Sequence, residues 1–138
     1  MSRPASLEQL YRDALYEVDL PTGYEVDLPT GTIIFRIGEA APDELPVPLA
    51  LVTAFNPGTS RPCEEINRAA NRRLQAEIAR RGWPSFVARG RNADATHIEP
   101  SFAIPDISRE DALALARQFG QAAIVFVDSE LVSLLWCG

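Results

Sequence analysis

The chain has 138 residues, 46% hydrophobic and 23% charged, with a formal net charge of −6. That is the common size of one domain that buries its own core, so residues 1–138 are taken as a single folded domain and disorder is confined to the first residues and the loops. No apolar run approaches the roughly 20 residues that cross a bilayer, and Met1-Ser2-Arg3-Pro4 lacks the apolar heart of a secretory signal, so a soluble, cytoplasmic protein with no membrane partner is expected.

In chain order, Leu7, Leu10, Tyr11, Ala14 and Leu15 recur at helical spacing behind Ser6, a possible cap, and predict a short N-terminal helix. An unbroken repeat follows: Tyr16-Glu-Val-Asp-Leu-Pro-Thr-Gly23 recurs unchanged as Tyr24 to Gly31. Two copies of eight residues are too few and too short for a solenoid, and a tandem duplication explains them best. Each copy alternates Tyr, Val and Leu with Glu and Asp and closes on a turn signal, so each reads as a strand; only one is needed, and a register ambiguity is built in. Thr32 to Ile37 reads as the next strand, and 39–48, with three prolines, as a loop. Leu49 to Phe55 is a nearly continuous apolar run, the mark of a central strand covered on both faces, ended by Asn56-Pro57-Gly58.

The main helix is predicted from about Pro62 to Arg81, with Glu64 and Glu65 suiting its N-terminal dipole, Arg80 and Arg81 its other end, and Gly82 as the stop. Its apolar stripe is read as Ile66, Ala70, Leu74 and Ile78. Strands follow at Trp83–Arg89 and Ile98–Ile104, with Pro100 suggesting an edge or a bulge. Ser108 caps a second helix, with Asp111 in the capping-box position and Gly120 as its stop. Ala122–Val127 and Leu131–Trp136 make a hairpin across Asp128-Ser129-Glu130. The order β-β-α-β-β-α-β-β implies an α+β, two-layer plan: a mixed or mostly antiparallel sheet of about five to six strands, two main helices and the short N-terminal one.

Charge is unevenly spread. Residues 1–58 carry −6, residues 59–91 carry +5 and residues 92–138 carry −5, and every basic residue is arginine. Arg68, Arg72, Arg73, Arg80 and Arg81 form a basic stripe along the main helix. Nucleic acid is disfavoured, because the whole chain is acidic and no stacking aromatics interleave with the stripe. Pairing with the acidic segments, within the fold or across a homodimer, accounts for the asymmetry more simply. Cys63 and Cys137 fit no metal or redox spacing and are expected as free thiols; with one histidine there is no ligand cluster, and neither metal nor cofactor is expected.

Four stretches together resemble the bacterial domain-of-unknown-function family 3293: Phe35-Arg36-Ile37-Gly38, Thr53-Ala54-Phe55-Asn56-Pro57, Glu99-Pro100-Ser101-Phe102, and Phe119-Gly120-Gln121 leading into Ala123-Ile124. Asn67, Asn71, Leu74 and Gly82 match in the helix, as do Tyr11-Arg12 and Tyr16 near the start. Family members often read Gly-Gln-Asn-Ala where this chain has Gly120-Gln121-Ala122-Ala123, often carry an aromatic at His97, and are not expected to carry the second octapeptide. The resemblance implies no activity.

Several polar residues ask for a purpose. On a strand, His97, Glu99 and Ser101 share one face, a plausible base, partner and nucleophile or anchor; the simpler reading is a solvent-facing row. Asn56 stands at a strand end, where it serves a site or only its own turn. Asn67 and Asn71 lie one turn apart beside the apolar stripe and are poor helix formers, so a bond beyond propensity keeps them. Gln121 follows the helix stop and could hold a loop or a ligand. The leading expectation is a binding or interaction module for a small molecule or protein, with a polar pocket at strand ends drawn from Arg36, Asn56, Asn67, Asn71, His97, Glu99, Ser101 and Gln121. The alternative is a small hydrolase or transferase using His97 with Glu99 as acid–base pair, and the last is a nucleic-acid-associated protein acting through helix 62–81.

Overall fold

The computed structural model describes residues 5–21 and 31–138. Its elements run α1 (Ala5–Asp13), β1 (Leu15–Leu20), β2 (Gly31–Phe35), β3 (Leu49–Val52), α2 (Glu64–Arg80), β4 (Phe86–Arg91), β5 (Ile98–Pro105), α3 (Arg109–Gln118), β6 (Ala123–Val127) and β7 (Val132–Trp136). The α+β class and the N-terminal helix are as expected. The strand count is not: one sheet holds seven strands in the order β2-β1-β4-β5-β3-β6-β7, and every neighbouring pair is antiparallel, one of the two expected arrangements. The first octapeptide supplies the extra strand, β1, between β2 and β4. The second copy, apart from Gly31, lies outside the described residues.

The sheet also curls into a half-barrel, which the two-layer plan did not specify. The backbone after β2 reaches the far edge of the sheet: Gly38 N–H donates to the Val132 carbonyl at 2.8 Å, Val132 N–H to Glu39 at 2.9 Å, and Ala41 N–H to Glu130 at 3.0 Å. Curling buries the concave face against itself. Alternate residues of the strands, among them Val18, Phe35, Leu49, Leu51, Ala88, Ala103, Val125 and Val127, meet there with Ile37 and Leu45 from the connection. The other set, including Ala50, Val52, Ile104, Ile124 and Phe126, packs on the convex side under α2 and α3 through Leu74, Ile78, Ala112 and Leu115. β3 and β6 are therefore buried on both faces, which accounts for their unbroken apolar runs. Each fully buried leucine or isoleucine in these two layers contributes about 1.5–3 kcal/mol of burial.

Elsewhere on the convex side, across β1 and β4, charge replaces the helices. Arg91 pairs with Glu17 at 2.8 Å, and Arg89 with Asp19 at 2.9 Å and Glu17 at 3.4 Å. These two arginines do meet the acidic N-terminal segment. Those of α2 pair mostly within their own helix, Arg68 with Glu64 and Arg80 and Arg81 with Glu77.

Element ends shift by physical causes. α2 starts at Glu64, after the extended residue Cys63, and ends at Arg80. β3 stops at Val52, where side-chain bonds take over the backbone. Ser108 caps α3 as expected, its hydroxyl accepting the Asp111 N–H at 3.0 Å. The stripe of α2 is rotated from the expected one: Ile66 is 58% exposed, while Asn67, Asn71, Leu74 and Ile78 face inward. Both cysteines are free thiols, Cys63 exposed and Cys137 buried.

Candidate functional site

The polar residues singled out from sequence meet, for the most part, around the turn that follows β3. Thr53 Oγ1 donates to the Pro100 carbonyl at 2.8 Å and accepts the Phe55 N–H at 3.0 Å. Asn71, one turn of α2 beyond Asn67, accepts the Ala54 N–H at 2.8 Å and donates to the same Pro100 carbonyl at 3.0 Å. Asn67 accepts the Asn56 N–H at 2.9 Å and donates to Asn56 Oδ1 at 2.9 Å. Gln121 Nε2 donates to the Phe55 carbonyl at 3.1 Å. Asn56 itself sits at φ 48°, a left-handed conformation that asparagine tolerates better than most residues. Segment 53–57 thus lacks ladder partners but has its backbone groups met by amides from α2 and from beyond α3. This is why two poor helix formers occupy the buried face of α2.

One carboxylate joins the lattice. Asn56 Nδ2 donates to Glu99 Oε2 at 3.2 Å. Glu99 stands opposite Gly90 on β4, and Ser101 opposite Ala88, so both point to the concave side. Glu99 and Ser101 thus leave the solvent-facing row of the simpler reading and face inward, whereas His97 stays exposed and Ile98 is 53% exposed. Burial raises the Glu99 carboxyl above the ordinary carboxylate range, against the lowering effects of the Asn56 bond and the Arg61 charge. Burial also pushes the Tyr11 hydroxyl up to about 12, with the Glu99 charge adding to it. Tyr16 is raised for the same leading reason; its hydroxyl donates to the Tyr11 carbonyl at 2.8 Å, and its ring crosses Gly90 so closely that a Cβ there would lie 3.2 Å from it. Tyr11 meets Trp136 edge-on, ring centroids 6.0 Å apart. Ser101 Oγ is buried and has no hydrogen-bond partner among the described residues.

Two of the expected residues stand apart. His97 precedes β5 in the exposed 92–97 turn, where its N–H donates to Asn92 Oδ1 at 2.9 Å; the partner of Glu99 is Asn56. Arg36 follows β2 in a tight turn, its N–H donating to Glu39 Oε1 at 2.8 Å. Tyr11 and Arg61, whose hydroxyl and charge interact with Glu99, come from α1 and a loop, and no local pattern announces that meeting. Among the described residues, no group of three or more His, Cys, Asp or Glu could hold a metal ion, and no helix is long and apolar enough to cross a membrane.

On the other side of the amide lattice, a groove of about 640 Å³ runs between α2 and the end of α3. Pro57, Pro62, Ile66, Ala70 and Phe119 form its apolar lining. Arg73, Glu77 and Gln118 stand at its polar part. Glu77, held by Arg80 and Arg81, has its carboxyl lowered to about 2 and stays anionic. At the groove wall Gly120, at φ +72°, comes so close to Pro57 that an added Cβ would lie 3.0 Å from its Cβ. A shallower hollow of about 200 Å³ lies by Arg72, Phe55 and Pro100.

Residues 52–124, more than half of the chain, match the family model described as a protein of unknown function, DUF3293. No curated protein and no solved structure matches the chain. Both the amide lattice and the groove lining fall within the matched residues, whereas Tyr11, Tyr16 and Trp136 fall outside them.

Proposed function

The chain belongs to the DUF3293 family of unknown function, and from that premise we propose that it is a binding module whose ligand seat is the groove between α2 and the end of α3. The observation that carries this reading is the groove's construction. Its wall at Ala54–Pro57 is held by amide bonds from Asn67, Asn71 and Gln121, so the cavity stands preformed, as ligand pockets usually do. The lining favours an amphipathic small molecule: an apolar body against Ile66, Ala70 and Phe119, and an anionic end toward Arg73. Arg73 suits that end because Glu77 is already engaged by two other arginines.

A thermal-shift screen of aryl and alkyl carboxylates beside their neutral amides tests the reading. Binding at one hundred times Kd stabilises by about 2.7 kcal/mol, enough to read as a clear rise in Tm. Ala70→Trp, which fills the groove, is expected to abolish every hit, and Arg73→Gln to weaken the acids more than the amides. Hits untouched by Ala70→Trp would remove the groove from the account.

A second reading is favoured by Glu99 alone. A carboxyl raised by burial beside Tyr11 suits a general acid, and in that reading Glu99 works with Asn56 and Arg61 rather than with His97. It is tested by Glu99→Gln in any activity screen that gives a signal.

A further inference from the structure

The octapeptide repeat has no part in either reading, yet it bears directly on how the sheet is built. We infer that the β1 position has two eligible occupants in this chain, Tyr16–Leu20 and its duplicate Tyr24–Leu28, the second serving as a reserve strand.

The position makes five demands. Tyr16, Val18 and Leu20 fill the concave core at 7%, 0% and 3% exposure. On the opposite face Glu17 meets Arg91 at 2.8 Å, and Asp19 meets Arg89 at 2.9 Å and accepts from Thr32 Oγ1 at 2.8 Å. All five side chains recur in the same order and spacing at Tyr24, Glu25, Val26, Asp27 and Leu28. Pleat alternation therefore gives the duplicate the same buried set and the same charged set, and β2 and β4 would meet identical partners.

What separates the two is their connections. Leu20 stands opposite Gly31 in the observed register, so ten residues of sequence, 21–30, separate the paired positions. With the duplicate in place, Leu28 would stand opposite Gly31 and only Pro29-Thr30 would join them. Two-residue hairpin links favour a positive φ at their first position, which proline cannot adopt. The first copy also keeps Leu15 opposite Arg91 and the Tyr16 bond to the Tyr11 carbonyl, and so holds α1 close; the duplicate would put eight further residues between α1 and the strand. These terms make the first copy the resident, and they set the gap to the reserve. Damage to the resident is limited by that gap, because the chain can change strands.

Urea unfolding of three full-length variants tests this. Val26→Asp is expected to leave the midpoint unchanged. Val18→Asp, a charge at a fully buried position, is expected to lower the midpoint yet keep a cooperative transition, and the pair is expected to abolish it. Hydrogen exchange supplies the direct readout: in Val18→Asp, amide protection is expected to pass from 17–20 to 25–28. If Val18→Asp alone abolishes folding, if the pair is no worse than Val18→Asp, or if protection does not move, the inference is overturned. Deleting 16–23 and deleting 24–31 yield one and the same chain, which has only the Pro-Thr link. That chain is expected to fold cooperatively, and its failure to fold would likewise exclude the reserve register.

Discussion

Asn71 occupies a helix position that a leucine could fill by size, and its value lies in its two bonds. Removing its amide orphans the buried Ala54 N–H, while the Pro100 carbonyl keeps Thr53 as a donor. Asn71→Leu is therefore expected to cost about 1–3 kcal/mol, the penalty of one unmet buried donor, measured by urea unfolding. Glu99 makes a different case. Its carboxyl is raised in the folded state, chiefly by burial, so the folded protein holds this proton to higher pH than the unfolded chain does. Its contribution to stability accordingly falls as pH rises from the unfolded pKa through the folded one. Glu99→Gln keeps an acceptor for Asn56 Nδ2 and removes the charge. It is expected to be more stable than the parent at pH 7, with the difference vanishing below the unfolded carboxyl pKa; a loss of stability at pH 7 would contradict that. The importance of Asn56, Asn67, Asn71 and Gln121 was legible from residue type and position. Their use was not, because an amide that braces backbone and one that awaits a ligand look alike in one dimension.

At the scale of the element, α2 shows how far periodicity carries. Leu74 and Ile78 belong to both the expected and the observed stripe. Apolar periodicity puts Ile66 and Ala70 on the inward stripe with Asn67 and Asn71 beside it, yet the orphan backbone of 53–57 draws both asparagines inward, leaving Ala70 partly buried and Ile66 exposed. The difference can be measured. Leu74→Ala, at 0% exposure, is expected to cost about 2–5 kcal/mol by urea unfolding. Ile66→Ala, at 58% exposure, is expected to stay within about 0.5 kcal/mol. Ser108→Ala is expected to cost about 1 kcal/mol through loss of the α3 cap, which was readable because both partners lie three residues apart. The hairpin of β6 and β7 was equally readable, its Asp128 carboxylate accepting the N–H groups of Glu130 and Leu131 at 2.8 Å.

For the whole molecule, the class and most of the elements followed from local pattern, whereas the curl did not. It depends on pairings such as Gly38 with Val132 and on small residues such as Gly90 that let Tyr16 cross the sheet, and neither leaves a local trace. The charge asymmetry is half readable: Arg89 and Arg91 do meet Glu17 and Asp19, but Arg68, Arg80 and Arg81 find their acids within one turn of the main helix. Burial on both faces makes β3 and β6 the expected slow-exchanging centre in native-state hydrogen exchange, with α1 and β2 among the first segments to open. The stretch 53–57 has the composition of a surface loop but is fastened by side chains at nearly every residue. Among the described segments, a protease adding limited cuts to the native protein should therefore spare it in favour of the open 92–97 turn, and a nick there leaves β3 and α2 together on one fragment.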